Sequence, residues 1–226
     1  MHRVDSETLC IKEVTLKEAA DVVKHDQSGT VVNVRCRNFD YETIETNGLL
    51  EIESSKFLIF TRDPASFIIS AAKYHLRGDE KWAVNRPLRA LGRKTLTRAL
   101  RAATSLDEQQ IVIMKHFGKL YRKQVSLLKY MNNPRFLRIR CEDLFTTKEE
   151  AYFSNIASFL RCSDRPSFLN ALKVASPAFK KSLPKHSTGA FKIKNPYHAL
   201  GEKARDYFDT NWMEYARSLN YNYGYK

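Results

Sequence analysis

KFLIFTRDPASFIISAAKYHLR, residues 56–77, changes period in its middle. Phe57 to Phe60 form a short apolar run, the pattern of a buried strand in a parallel sheet. The run breaks at Thr61-Arg62-Asp63-Pro64. From there Phe67, Ile68, Ala71 and Ala72 recur at the spacing of a helix that buries one face. Pro64 suits the first turn of that helix, where its missing N–H would have no intrahelical partner anyway. Arg62 is therefore expected at the carboxyl end of a strand, beside the amino end of a helix. Open α/β sheets collect anionic ligands there, because free helix N–H groups and the helix dipole favour negative charge. Ser70 lies two turns further on and is a candidate to offer its hydroxyl to the same ligand.

Working outward, the 226 residues are 43% hydrophobic and 12% aromatic, enough to bury a substantial core in one domain over 1–226. No run approaches the roughly 20 apolar residues that span a bilayer, so no transmembrane segment is expected. The first thirty residues mix acids and bases without an apolar stretch of the secretory type. Cys10, Cys36, Cys141 and Cys162 are scattered, which disfavours a zinc site or a disulfide framework. These features lead to the expectation of a soluble, cytoplasmic protein without a metal.

A net charge of +13 favours an anionic partner, whether nucleotide, acidic glycan, nucleic acid or membrane surface. Charge alone does not separate these. Arg86, Arg89, Arg93, Lys94, Arg98 and Arg101 recur at helical spacing opposite Leu88, Leu91, Leu96 and Leu100, with no acid in the interval. The pattern predicts an amphipathic helix with a basic stripe, either a solvated face or a surface for a polyanion. Ser105-Leu106-Asp107-Glu108 has the form of a capping box and opens a long helix to about Leu128, stopped by Asn132-Asn133-Pro134. Residues 135–141, RFLRIRC, read as a second strand leading into Glu142-Asp143-Leu144. Thr147 and Glu150 suit the start of another helix, and Asn195-Pro196 the start of a final one. Strands alternating with helices predict an α/β fold with an open parallel sheet flanked by helices.

Strand, Arg-Asp-Pro, then a helix with Ser eight residues after the Arg resembles the 3′-phosphate-binding motif of sulfotransferases. These enzymes use 3′-phosphoadenosine 5′-phosphosulfate as co-substrate. The resemblance implies that Arg62 and Ser70 hold the nucleotide's 3′-phosphate. Arg140-Cys141-Glu142-Asp143-Leu144 is similar to the family's Arg-Tyr-Glu-Asp-Leu segment, at nearly the family's distance from the Arg-Asp-Pro. Cys141 replaces the Tyr and supplies no phenol hydroxyl. Residues 179–194, FKKSLPKHSTGAFKIK, look like a loose version of the basic loop that closes over the nucleotide. The likeness makes Lys180, Lys181, Thr188 and Gly189 nucleotide-binding candidates, with Lys185 and Ser187 beside them.

The resemblance covers about residues 50–226, and residues 1–50 read as divergent or truncated. The family's phosphosulfate loop sits between a strand and a helix. Gln27-Ser28-Gly29-Thr30 instead follows a helix-like stretch and precedes the strand-like Val31-Val32-Asn33-Val34. The family's base is a His or Glu before the Arg-Asp-Pro strand. The candidates here are Glu42 and Glu45, with His75 on the following helix. The implied activity is sulfuryl transfer to a hydroxyl or amine, with the basic segment 86–101 facing an acidic acceptor. The alternative is a non-catalytic relative that binds a nucleotide or polyanion.

Overall fold

The computed structural model describes residues 10–11, 33–34, 45, 48, 50, 51, 53, 55–146, 150–161, 166–170 and 193–224. Strand β1 (Cys10–Ile11) pairs in parallel with β2 (Asn33–Val34). Strand β3 (Phe57–Thr61) pairs in parallel with β4 (Phe136–Arg140), from Phe57 opposite Phe136 to Thr61 opposite Arg140. Among the described residues these are two separate two-stranded sheets. The chain is thus mixed α/β, with small parallel strand pairs and many helices; the expected open sheet flanked by helices goes beyond what the described strands form. Within β3, Phe60 is 48% exposed, whereas Ile59 and Thr61 are buried. An apolar run suggested burial on both faces, yet this strand is covered mainly on one.

Helices build most of the core. Helix α1 (Pro64–Arg77) follows β3 directly. Asp63 caps it, its Oδ1 accepting the Ser66 N–H at 2.6 Å, and Pro64 occupies the first turn as its fixed φ favours. Gly78 ends it at φ 78°, a left-handed conformation open to glycine without strain. Helix α2 (Lys81–Asn85) leads into a tight hairpin closed by an antiparallel bridge between Pro87 and Thr95. A 3-10 turn (Arg89–Leu91) lies inside the hairpin, followed by Gly92 and Arg93, both with φ near +60°. Helix α3 (Leu96–Ala102) starts only after it.

The single basic helix expected over 86–101 is therefore corrected to a hairpin and a short helix. Pro87 has no N–H to give a helix, and two successive left-handed residues cannot lie within one. The six bases are nonetheless all exposed.

Helix α4 (Leu106–Ser126) opens as expected, Ser105 accepting the Glu108 N–H at 3.2 Å. The Glu108 carboxylate reaches back one residue further than a capping box requires, to the Thr104 N–H at 2.6 Å. Replacing Ser105 with Ala should cost about 1 kcal/mol of stability, read from the shift of a urea unfolding midpoint. The helix gives way to a 3-10 turn (Leu127–Tyr130) two residues before the expected end. β4 then runs without a loop into α5 (Cys141–Thr146), and α6 (Glu150–Leu160) follows.

The final helix does not begin at Asn195-Pro196, where the Asn195 side chain caps a turn through the His198 N–H. It begins as α7 (Glu202–Asn211) and, after Trp212, continues as α8 (Met213–Ser218). Its N-terminus is capped from another helix, because Asp107 of α4 accepts the Ala204 N–H at 3.0 Å. A Cβ on Gly201 would lie 1.9 Å from the Asp107 carboxylate, so only glycine permits this docking. Gln110, fully buried, accepts the Gly201 N–H at 3.1 Å. The main core gathers Ile68 and Ala72 of α1, Leu96 and Leu100 of α3, Ile113 and Met114 of α4, and Phe208, Trp212 and Leu219 from the C-terminal segment. A smaller cluster of Ile59, Leu127 and Phe136 lies under the β3–β4 sheet.

Candidate functional site

Because β3 and β4 run parallel and in register, their carboxyl ends lie side by side, Thr61 next to Arg140. The chain turns into a helix at both ends, and the two turns are tied together. The Asp63 N–H donates to Glu142 Oε1 at 2.8 Å, and Glu142 Oε2 accepts the Tyr221 hydroxyl at 2.8 Å. Arg138 on β4 donates to Thr61 Oγ1 at 2.9 Å and to the Leu219 carbonyl at 2.6 Å. The Arg140 guanidinium lies 4.9 Å from the centre of the Tyr221 ring. The segment after α8 thus closes over the strand ends.

Arg62 stands apart from this saturated network. It is half-buried and, among the described residues, it donates to no acceptor. Its charge is felt by Tyr121 and Cys141, whose anionic forms it favours. Ser70 is buried in α1. Ser66, one turn earlier and on the same face of the helix, is also buried, and its hydroxyl finds no hydrogen-bond partner among the described residues.

Burial keeps the phenols and the thiol around the strand ends un-ionised. Burial pushes the Asp63 carboxyl up to about 6, opposed by the Ser66 N–H and reinforced by the Glu142 charge. Burial, then the charges of Glu142 and Asp143, raises the Cys141 thiol to about 11. Tyr221 and Tyr223 are also raised, first by burial and then by Glu142 and Asp63 respectively. At neutral pH the strand ends therefore present cationic Arg62 and Arg140 with un-ionised phenols and thiol. Of the carboxylates nearby, Asp63 accepts the Ser66 N–H and Glu142 accepts the Asp63 N–H and the Tyr221 hydroxyl. Arg62, with no acceptor among the described residues, is the group left to meet an anion.

The base candidates lie elsewhere. Glu45 is exposed and held by Lys129 at 2.7 Å and Tyr130 at 2.9 Å. Tyr130 stacks on Phe136, the first residue of β4, so Glu45 sits at the amino ends of the strands. About 13 Å of strand separates it from Arg62. The hydrogen bond from Lys129 holds its carboxyl below the usual range, which makes it a poor proton acceptor. His75 lies near the far end of α1, about 16 Å of helix from Pro64. Its ring stacks on Phe117, and its Nδ1 is buried, 3.9 Å from Glu80. Glu42, Lys180, Lys181, Thr188 and Gly189 lie outside the described residues, as does the 27–30 segment.

What the sequence reading missed are Ser66, Asp63 as a buried acid, and the two C-terminal tyrosines. The tyrosines had one signal, the alternation Tyr221-Asn222-Tyr223 at the end of the final helix.

His75 and His116 make stability pH-dependent. Burial lowers both below their ordinary value of 6.5, with the His75 and Arg86 charges adding to the effect on His116. The unfolded chain then takes up these protons before the folded one, so stability falls as pH drops below 6.5. Asp63, raised from 3.8 to about 6, acts oppositely, stabilising the fold as pH falls through that window. Replacing His75 with Phe should therefore raise stability relative to wild type more at about pH 5.5 than at about pH 8. Urea unfolding at the two pH values measures the difference, and an equal change at both would refute the assignment.

No protein-family model, curated protein or solved structure matches the chain. Among the described residues, no three metal-ligating side chains gather, and no helix is long and apolar enough to cross a membrane.

Proposed function

We propose that this chain binds a 3′-phosphorylated adenine nucleotide at the carboxyl ends of β3 and β4, in the manner of the sulfotransferases that its motifs resemble. The observation that carries the reading is Arg62: a half-buried guanidinium without an acceptor among the described residues, at the junction of a parallel strand and a capped helix. A half-buried guanidinium with no protein acceptor has its donors available to an anion that displaces solvent. Arg62 would hold the 3′-phosphate, with Ser70 behind it on α1. Arg140 would add positive potential from the neighbouring strand.

The bound co-substrate would supply an activated sulfuryl group. In the transfer the bond between sulfur and the phosphate oxygen breaks and one to the acceptor oxygen or nitrogen forms. The acceptor's proton passes to a base, and a sulfated product and adenosine 3′,5′-bisphosphate are left. The protein's part would be positioning and cationic stabilisation of the leaving phosphate.

A second reading is favoured by one observation: neither Glu45 nor His75 is near Arg62. A protein that binds the nucleotide without transferring sulfate fits that placement. Calorimetric titration with adenosine 3′,5′-bisphosphate and with adenosine 5′-phosphate tests what the two readings share. Binding that ignores the 3′-phosphate defeats both. Incubation with labelled 3′-phosphoadenosine 5′-phosphosulfate and a panel of phenols, alcohols, amines and acidic glycans then separates transferase from binder.

A further inference from the structure

Residues 77–101 hold eight bases against two acids, Asp79 and Glu80, so this short stretch supplies +6 of the chain's +13. Both acids stand at its beginning, and the Glu80 carboxylate is occupied by the Tyr74 hydroxyl and the Trp82 indole N–H. Arg86, Arg89, Arg93, Lys94, Arg98 and Arg101 are exposed, and among the described residues no carboxylate pairs with any of them. The tertiary structure draws this stretch together around the C-terminal end of α1. A Cβ on Gly78 would lie 3.2 Å from the Arg101 guanidinium, 3.5 Å from the Thr97 methyl and 3.6 Å from a Val84 methyl. Thr97 also donates to the His75 carbonyl at 3.2 Å.

Two further features distinguish the surface from an ordinary solvated face. Two of the largest exposed apolar side chains, Trp82 (37%) and Val84 (41%), lie on α2 within it. Trp82 is braced from behind by His116, with ring centres 5.7 Å apart, and by His75 at 5.2 Å. The charges, moreover, are mounted on a stiff support. The hairpin is closed by its bridge and by the Arg93 N–H donating to the Leu88 carbonyl at 2.9 Å. Arg93 itself is held at φ 62°, a strained conformation for an arginine.

We propose that α2, the hairpin and α3 dock this protein on an anionic membrane surface. A soluble polyanion needs only the bases. A braced, half-exposed tryptophan and an exposed valine beside them suit the headgroup boundary of a bilayer, where an amphipathic indole ring is most at home and lipid charge attracts the arginines. The proposal is independent of the nucleotide reading, because α1 sets the surface about 20 Å from Arg62.

The test is sedimentation of the full chain with vesicles of phosphatidylcholine alone and of phosphatidylcholine with phosphatidylserine. Binding is expected only with phosphatidylserine and should weaken as salt rises. Replacing Arg98 and Arg101 together with Ser removes two exposed, unpaired charges and should weaken it about 25-fold, at about fivefold for each base. Val84→Ser should weaken vesicle binding about fivefold while leaving binding to heparin unchanged. Tryptophan emission supplies a second readout. Of the two tryptophans Trp212 is 1% exposed, so a blue shift on adding anionic vesicles reports Trp82. Equal binding to both vesicle types overturns the proposal. So does heparin binding with no emission shift on vesicles and no effect of Val84→Ser, which would make the surface a site for soluble polyanions.

Discussion

Replacing Arg62 with Ala is expected to weaken binding of adenosine 3′,5′-bisphosphate by about 10- to 150-fold, measured by titration calorimetry. The range is the cost of removing a charge-assisted hydrogen bond, about 1.5–3 kcal/mol, expressed as a ratio of dissociation constants. Affinity for adenosine 5′-phosphate should hardly change, since that ligand lacks the group Arg62 would meet. Stability should hardly change either, because Arg62 makes no hydrogen bond among the described residues. The pairing of results matters. If Arg62→Ala lowers affinity for both nucleotides equally, the residue contributes general positive potential and the 3′-phosphate assignment fails. Lys at this position should recover only part of the loss, since an ammonium keeps the charge and not the planar fork.

Glu142→Ala should have the largest effect on the fold of the substitutions considered, about 2–4 kcal/mol of lost stability. The carboxylate joins three pieces of chain: the turn after β3 through the Asp63 N–H, the start of α5, and the C-terminal segment through the Tyr221 hydroxyl. Without it, two donors at a partly buried site lose their acceptor, and leaving such groups unpaired costs more than the bonds themselves gained. Relief of the Asp63–Glu142 repulsion offsets part of the loss and should also let the Asp63 carboxyl fall below about 6. Tyr221→Phe removes one of the two bonds and should cost about 1 kcal/mol. Urea unfolding of the single and double variants checks this, because substitutions that share a bond must be non-additive. A loss below about 0.5 kcal/mol for Glu142→Ala would show that solvent replaces both contacts.

The parts of the molecule that could be read residue by residue are those governed by neighbours in the chain. Pro64 starts α1 and Ser105 caps α4, because a helix start depends only on residues within about three positions of its unpaired N–H groups. The strands were visible as an apolar run at 57–60 and as the segment 135–141, close to the observed 57–61 and 136–140. The place of Arg62 between strand and helix followed from the same local rules.

The basic segment was misread at this level. Arginines at helical spacing look the same in a hairpin, and Pro87 and Gly92 carried the opposing signal. Helical periodicity is necessary for a helix but not sufficient when breakers interrupt it.

The tie between Asp63 and Glu142 spans 79 residues, and so does that between Glu142 and Tyr221. No local period announces either. Asp107 capping a helix 97 residues away is of the same kind, as is the gathering of Val84, Thr97 and Arg101 around Gly78. The rejection of Glu45 and His75 as neighbours of Arg62 also came from three dimensions. Glu45 lies beside the amino ends of the strands and His75 near the far end of α1, whereas Arg62 lies between the two elements. Local chemistry in the chain was enough to establish the strand, the turn and the cap that present Arg62. Which side chains surround it, and which charges meet elsewhere, depends on contacts between distant segments, and these form only when the apolar faces of the helices are buried together.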